Sequence, residues 1–110
     1  MNLPNALNAV VERKKIAEYL LAFDHPEGTG KAEFFTRFGF ITDDWQILAR
    51  ALVEHAKTYP VASTSESPYG TKYRIEGPIL CPDGRSPSIR AVWIIDIGAD
   101  APRLVTAYPL

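Results

Sequence analysis

Apolar positions recur at helical spacing in the first half of the chain and alternate in the second half. Ile16, Tyr19, Leu20 and Phe23 fall at i, i+3, i+4 and i+7, which predicts one helix over residues 12–23 with Glu12, Arg13, Lys14 and Glu18 off its stripe. Asp24-His25-Pro26-Glu27-Gly28-Thr29-Gly30 interrupts that pattern, since two glycines and a proline favour a loop. A short helix follows from Lys31 to Phe38, with Ala32, Phe35 and Phe38 spaced for burial and Gly39 suited to its C-terminal end. Thr42, followed by Asp43 and Asp44, reads as the start of a third helix. Trp45, Leu48, Ala49, Leu52 and Ala56 form its stripe, and Tyr59-Pro60 ends it. Ahead of all this, Ala9-Val10-Val11 has the composition of a short strand.

From Val61 the period becomes two. Strands are predicted over 61–67, 71–80, 89–97 and 103–108, separated by turns at Ser67–Gly70, Pro82–Gly84 and Gly98–Pro102. The third of these, Ile89 to Ile97, is apolar on both sides, as a central strand requires. Short connections between successive strands give an up-and-down meander, and its buried face needs a helical layer. The expected fold is therefore α+β: N-terminal helices packed on a C-terminal, four-stranded antiparallel sheet. It is read as a single domain, 1–110, with a helical half at about 12–58 and a sheet half at about 61–110. If the last hairpin pairs Ile97 with Arg103, Thr106 opposes Ile94 and Tyr108 opposes Val92. Leu104, Thr106 and Tyr108 then share a face with Arg90, Val92 and Ile94, and a slip of one residue would reverse this.

Composition narrows the field. A formal net charge of −1 lacks the basic surplus of a nonspecific nucleic-acid binder, so any RNA contact must come from a local cluster. One cysteine, Cys81, forms no internal disulfide and is too few for a metal site. His25 and His55 lack metal-ligand spacing, so no metal and no cofactor are expected. No apolar run is long enough to span a membrane and no leader pattern opens the chain, so a cytoplasmic protein without membrane contact is expected.

The candidate chemistry is a set of scattered polar residues. His25 in its loop either acts as a general acid or base or simply helps to end a helix. Lys31, at the start of a helix where a cation is unfavourable, either contacts phosphate or is a solvated side chain. His55 lies late in the third helix, off its main stripe, where a cation suits the helix end. Lys72, Arg74, Arg90 and Arg103 sit on strands as solvated charges or as contacts to an anion, and Thr106 and Tyr108 add hydroxyls. Imidazole, cations and hydroxyls together are the inventory for metal-free RNA cleavage. The same inventory also serves anion or protein binding.

Five segments carry a resemblance: His25-Pro-x-Gly28-x-x-Lys31-Ala-x-Phe34-Phe35, Tyr69-Gly-Thr-Lys-Tyr73, Gly77-Pro-x-x-x-Pro82-Asp-Gly-Arg85, Val92-Trp93 and Pro102-Arg-Leu-Val-Thr-Ala-Tyr-Pro109. Over nearly the whole chain they look like a bacterial family of small domains with no assigned activity. In outline the chain also resembles the barnase–EndoU–colicin–RelE group of metal-independent RNases. That resemblance implies an RNase toxin of a toxin–antitoxin pair, with RNA as substrate and a cognate antitoxin protein as partner. It implies catalytic roles for His25, Lys31, Arg90, Thr106 and Tyr108, and substrate contacts from Lys72 and Arg103. The rival reading is a non-enzymatic module (an immunity protein, antitoxin or adaptor) that binds a protein through its sheet face.

Overall fold

The computed structural model describes residues 1–110. Its elements are α1 (Arg13–Lys15), a π-turn (Ile16–Leu20), α2 (Thr29–Arg37), a 3₁₀ turn (Thr42–Asp44), α3 (Trp45–Thr58), and β1 (Val61–Ser67), β2 (Gly70–Pro78), β3 (Ser88–Asp96) and β4 (Arg103–Pro109). The strands form one antiparallel sheet in the order β1-β2-β3-β4, and the helices precede it in the chain. The expected α+β architecture is the observed one. No helix is long and apolar enough to cross a membrane.

One sheet face meets the helices. Ile75, Ile89, Ala91, Trp93, Leu104 and Ala107 form a core with Ile16, Leu20, Phe35, Leu48 and Leu52. The helix ends are built to close that core. Gly39 takes φ +102, a conformation costly for any residue with a Cβ, and Phe40 then donates its N–H to the Phe35 carbonyl at 3.2 Å. This is a Schellman closure, and the rings of Phe35 and Phe40 pack edge-on at 6.0 Å.

Two irregularities depart from the simple periodic reading. The first helix keeps α geometry only over Arg13–Lys15 and then widens into the π-turn, where Leu21 donates its N–H to the Ile16 carbonyl at 2.8 Å. The wider turn brings Leu21 into the core and leaves Phe23, expected on the buried stripe, 54% exposed. The second is a bulge in β4. Arg90 pairs with Tyr108 and Val92 with Thr106, but Trp93 pairs with Leu104, so Val105 is an extra residue. Thr106 and Tyr108 therefore do lie on the face of Arg90 and Val92, each two residues nearer the start of β3 than the assumed register gives. Leu104 does not: the bulge turns it onto the core face beside Trp93.

The β4 edge is covered. Val10 bridges to Arg103 in parallel, donating its N–H to the Pro102 carbonyl (2.8 Å) and accepting from the Leu104 N–H (3.1 Å). The strand expected at residues 9–11 is reduced to this one bridge, and it leads the first helix around the sheet's edge.

His55 corrects the expectation of an exposed cation. It lies at i+7 from Leu48 and is buried with Leu48, Leu52 and Ala56 along the inner face of α3. Its ring donates Nε2–H to the Gly77 carbonyl at 3.0 Å, while Nδ1 is buried without a partner. Burial lowers its pKa from the ordinary value of 6.5. The unfolded chain thus binds a proton at His55 that the folded chain refuses. This contribution to stability is full above about pH 6.5 and is lost as the pH falls from there toward the folded value. His55→Gln keeps an N–H for Gly77 but cannot titrate. Urea unfolding of the two proteins at about pH 7.5 and about pH 5 should show a steeper acid loss in the wild type.

Candidate functional site

The open face of the sheet is formed by alternate residues of each strand. Lys72, Arg74 and Glu76 of β2 stand opposite Ile94, Val92 and Arg90 of β3, which in turn oppose Arg103, Thr106 and Tyr108 of β4. Val92 and Ile94 at its centre are only 7% and 5% exposed, although neither belongs to the main core on the other face.

These cations are not equivalent. Arg90 forms an ion pair with Glu76, with Nε–Oε2 at 2.8 Å, and reaches the Tyr108 hydroxyl at 3.4 Å. The hydrogen bonds to Tyr108 and Glu76 push the Arg90 pKa up, so its charge is fixed. Arg103 binds both carboxylate oxygens of Asp96, at 2.7 and 3.0 Å, and this holds the Asp96 carboxyl below its usual range. Arg74 donates to the Ser65 hydroxyl at 3.0 Å, and neither it nor Lys72 has a carboxylate partner. An arriving anion therefore meets uncompensated charge at Lys72 and Arg74, and must share Arg90 and Arg103 with carboxylates already present.

Where the open face meets the covered β4 edge, a cleft of about 650 Å³ opens, a size suited to a small ligand or a segment of a polymer. Val10, Glu12, Lys15, Glu18 and Tyr19 wall one side, His25 and Glu27 cap it, and Arg103 to Thr106 form the other wall. The side chains converge on Tyr19. Its hydroxyl lies 3.0 Å from the Thr106 hydroxyl, joining the first helix to the last strand. His25 meets its ring edge-on at 4.9 Å, and the ammonium groups of Lys15 and Lys31 each lie 5.3 Å from its centre. Cation–π contacts at such partly exposed positions are worth about 0.5–1 kcal/mol each.

The loop after the π-turn fixes His25 in one tautomer. Glu27 donates its backbone N–H to His25 Nδ1 at 3.0 Å, so the neutral ring carries its proton on Nε2. His25 therefore presents a donor, not an acceptor, at the free end of its ring. Lys31 is braced by donating to the Glu27 carbonyl at 3.0 Å. Gly28 explains the tightness of the turn: a Cβ there would stand 2.4 Å from the Tyr19 carbonyl oxygen. Gly28→Ala must push the loop off the π-turn, with an expected loss of about 1–3 kcal/mol in urea unfolding. The same variant should separate His25 from Tyr19.

Of the residues singled out by sequence, His25, Lys31 and Thr106 all neighbour Tyr19. Arg103 lines the same cleft, and Arg90, Tyr108 and Lys72 continue from it along the open face. Two residues escaped that reading. Tyr19 looks like a core residue by spacing, but its hydroxyl needs a polar partner, which places it at a boundary and not in the interior. Lys15 looks like an ordinary solvated charge, and only the tertiary fold brings it to the site. Cys81 is far from a nucleophile: burial first, then Asp83, pushes its thiol to about 11.

The family model described as Domain of unknown function (DUF6883) matches residues 2–110. No curated protein matches the sequence. Among solved structures, the chain shares its fold with one in the contact-dependent growth inhibition toxin–immunity protein complex from Klebsiella pneumoniae 342. The TM-score is 0.72 at 18% identity, over 92% of this chain and 99% of that one.

Proposed function

The chain belongs to the DUF6883 family, and from that premise we propose that it is a metal-independent endoribonuclease acting as a toxin and held in check by a protein partner. The observation that carries the proposal is that His25 and Thr106 line one cleft with Tyr19, on whose ring Lys31 also lies, with cations continuing from it across the open sheet face. A likeness in fold to a chain from a toxin–immunity complex makes toxin and immunity protein the two classes to weigh. The cleft supports the toxin reading, because an imidazole, an ammonium group and two hydroxyls meet around one opening, as metal-free RNA cleavage requires. The resemblance to the barnase–EndoU–colicin–RelE group supports the same class. No group of three or more His, Cys, Asp and Glu side chains is disposed to hold a metal ion.

The chemistry is transphosphorylation. The ribose 2′-oxygen attacks phosphorus as the bond to the 5′-oxygen breaks. Glu12, Glu18 and Glu27 line the cleft as acceptors for the 2′-hydroxyl proton, and the departing 5′-oxygen takes the Nε2 proton of His25 in its imidazolium form, in which Nδ1 is also protonated and releases the Glu27 N–H, so that a neutral ring is left behind. Lys31 and Thr106 steady the charge that gathers on the phosphate. Arg90, Tyr108, Lys72 and Arg103 hold the neighbouring phosphates and bases along the sheet. The net charge of −1 gives no general pull on RNA, so contact rests on the local cations of the open face, of which Lys72 and Arg74 have no carboxylate partner.

The test is purified protein on single-stranded and structured RNA, with and without EDTA. The expected products end in a 2′,3′-cyclic phosphate and form equally well with the chelator. Absence of cleavage, together with absence of growth arrest on expression, would overturn the reading.

A further inference from the structure

We infer that Tyr19 is a catalytic residue, a hydroxyl donor to the scissile phosphate that works as a unit with Thr106; this rests on the ribonuclease reading above. Two hydroxyls 3.0 Å apart carry two protons between them, and only one can lie in their shared hydrogen bond. The second O–H must point elsewhere, and both residues line the cleft. The pair thus offers one free donor there, since neither hydroxyl has another hydrogen-bond partner.

The surroundings identify what would accept it. Lys15 lines the cleft and Lys31 lies beside it, each ammonium 5.3 Å from the centre of the Tyr19 ring; these two cations, with Lys14, stand where a phosphate would meet the donor and offset the carboxylates of Glu12, Glu18 and Glu27 along the walls. His25, 4.9 Å from the same ring, turns a protonated Nε2 outward. A phosphodiester that receives the Tyr19–Thr106 donor on a non-bridging oxygen is within the neighbourhood of the acid needed by its leaving oxygen. As the 2′-oxygen–phosphorus bond forms and the phosphorus–5′-oxygen bond breaks, negative charge on the non-bridging oxygens rises. The donor bond strengthens with it, and Tyr19 keeps its proton throughout. Such an interaction is stronger in the transition state than in the bound substrate, so it acts on turnover and not on binding.

The local fold is consistent with that demand. A regular α-helix would carry the 16–23 stripe inward as a unit, whereas the π-turn leaves Tyr19 at the boundary where its hydroxyl meets β4. Gly28 allows the His25 loop to press against the Tyr19 carbonyl from the other side.

Tyr19→Phe keeps the ring, its cation contacts and the edge contact with His25, and removes only the hydroxyl. The expected result is a fall in kcat of about 100-fold with KM within about threefold of wild type, the size expected for one oxyanion donor. Thr106→Val should also lower kcat, and the double variant should lose little more than Tyr19→Phe alone, because the two hydroxyls serve one contact. Tyr19→Phe cleaving RNA within about twofold of wild type, while His25→Ala is inactive, would overturn the assignment and leave the ribonuclease reading intact. An additive double variant would overturn the shared-donor arrangement. If wild-type protein cleaves no RNA, the ribonuclease reading falls and this inference with it.

Discussion

His25→Ala should reduce RNA cleavage by about 10²–10⁴-fold, the range for removing a general acid, and should relieve growth arrest on expression. Stability should scarcely change, because His25 is only half-buried and its contacts are the Glu27 N–H and the edge of one ring. Those contacts permit a sharper comparison. His25 has two separable jobs: Nδ1 accepts from Glu27 and shapes the loop, while Nε2 faces away with its proton. Asn at this position can supply an amide oxygen where Nδ1 stands and restore the loop, but it has no acid where Nε2 stands. His25→Asn should therefore be as inactive as His25→Ala while keeping the wild-type melting temperature. Recovery of activity in His25→Asn would mean that the imidazole only shapes the turn. Equal activity of all three proteins would move the acid to another residue of the cleft.

The immunity-type alternative gives the opposite pattern. A module that merely docks a partner through its sheet face should bind that partner equally well with His25→Ala, and should be most sensitive to Arg74 and Lys72. Those side chains carry the charge left uncompensated on the open face. A variant set spanning His25 and Arg74 thus separates an enzyme from a docking module in one experiment.

Much of the fold is legible in the sequence because the sheet half obeys period two so strictly. Tyr73 and Ile75 inward, with Lys72, Arg74 and Glu76 outward, needed no tertiary information. The helix–sheet division and the turns follow from the same patterning. The site is only partly legible, and the gaps have distinct causes. Phe23 fails because 3.6-residue spacing does not hold through a π-turn. Leu104 fails because one bulged residue reverses the face of everything beyond it. His55 was available to the pattern, since i+7 from Leu48 is an inward position, but its charge argued for solvent. Burial resolves that conflict by keeping the ring neutral. The meeting of Tyr19 with Thr106, eighty-seven residues apart, has no local signal at all.

Leu104→Lys should unfold the protein, and this outcome tests the bulge on which the site's geometry depends. In a regular β4 the residue would stand on the open face opposite Ile94, beside Lys72, where another lysine would cost little. With Val105 bulged, Leu104 is 3% exposed and packs in the core with Trp93. Removing a buried leucine side chain alone costs about 2–5 kcal/mol. An unpaired ammonium in the same place adds the cost of desolvating a charge. Against a total stability of about 5–15 kcal/mol for a domain of this size, the sum leaves little or no folded population at room temperature. Thr106→Lys, two residues on, is the control. It faces the open side of the sheet, so it should stay folded and lose activity instead. A folded Leu104→Lys with a normal melt would place β4 in the regular register. Thr106 and Leu104 would then share one face, and the hydroxyl pair with Tyr19 would have to be rebuilt from a different strand geometry.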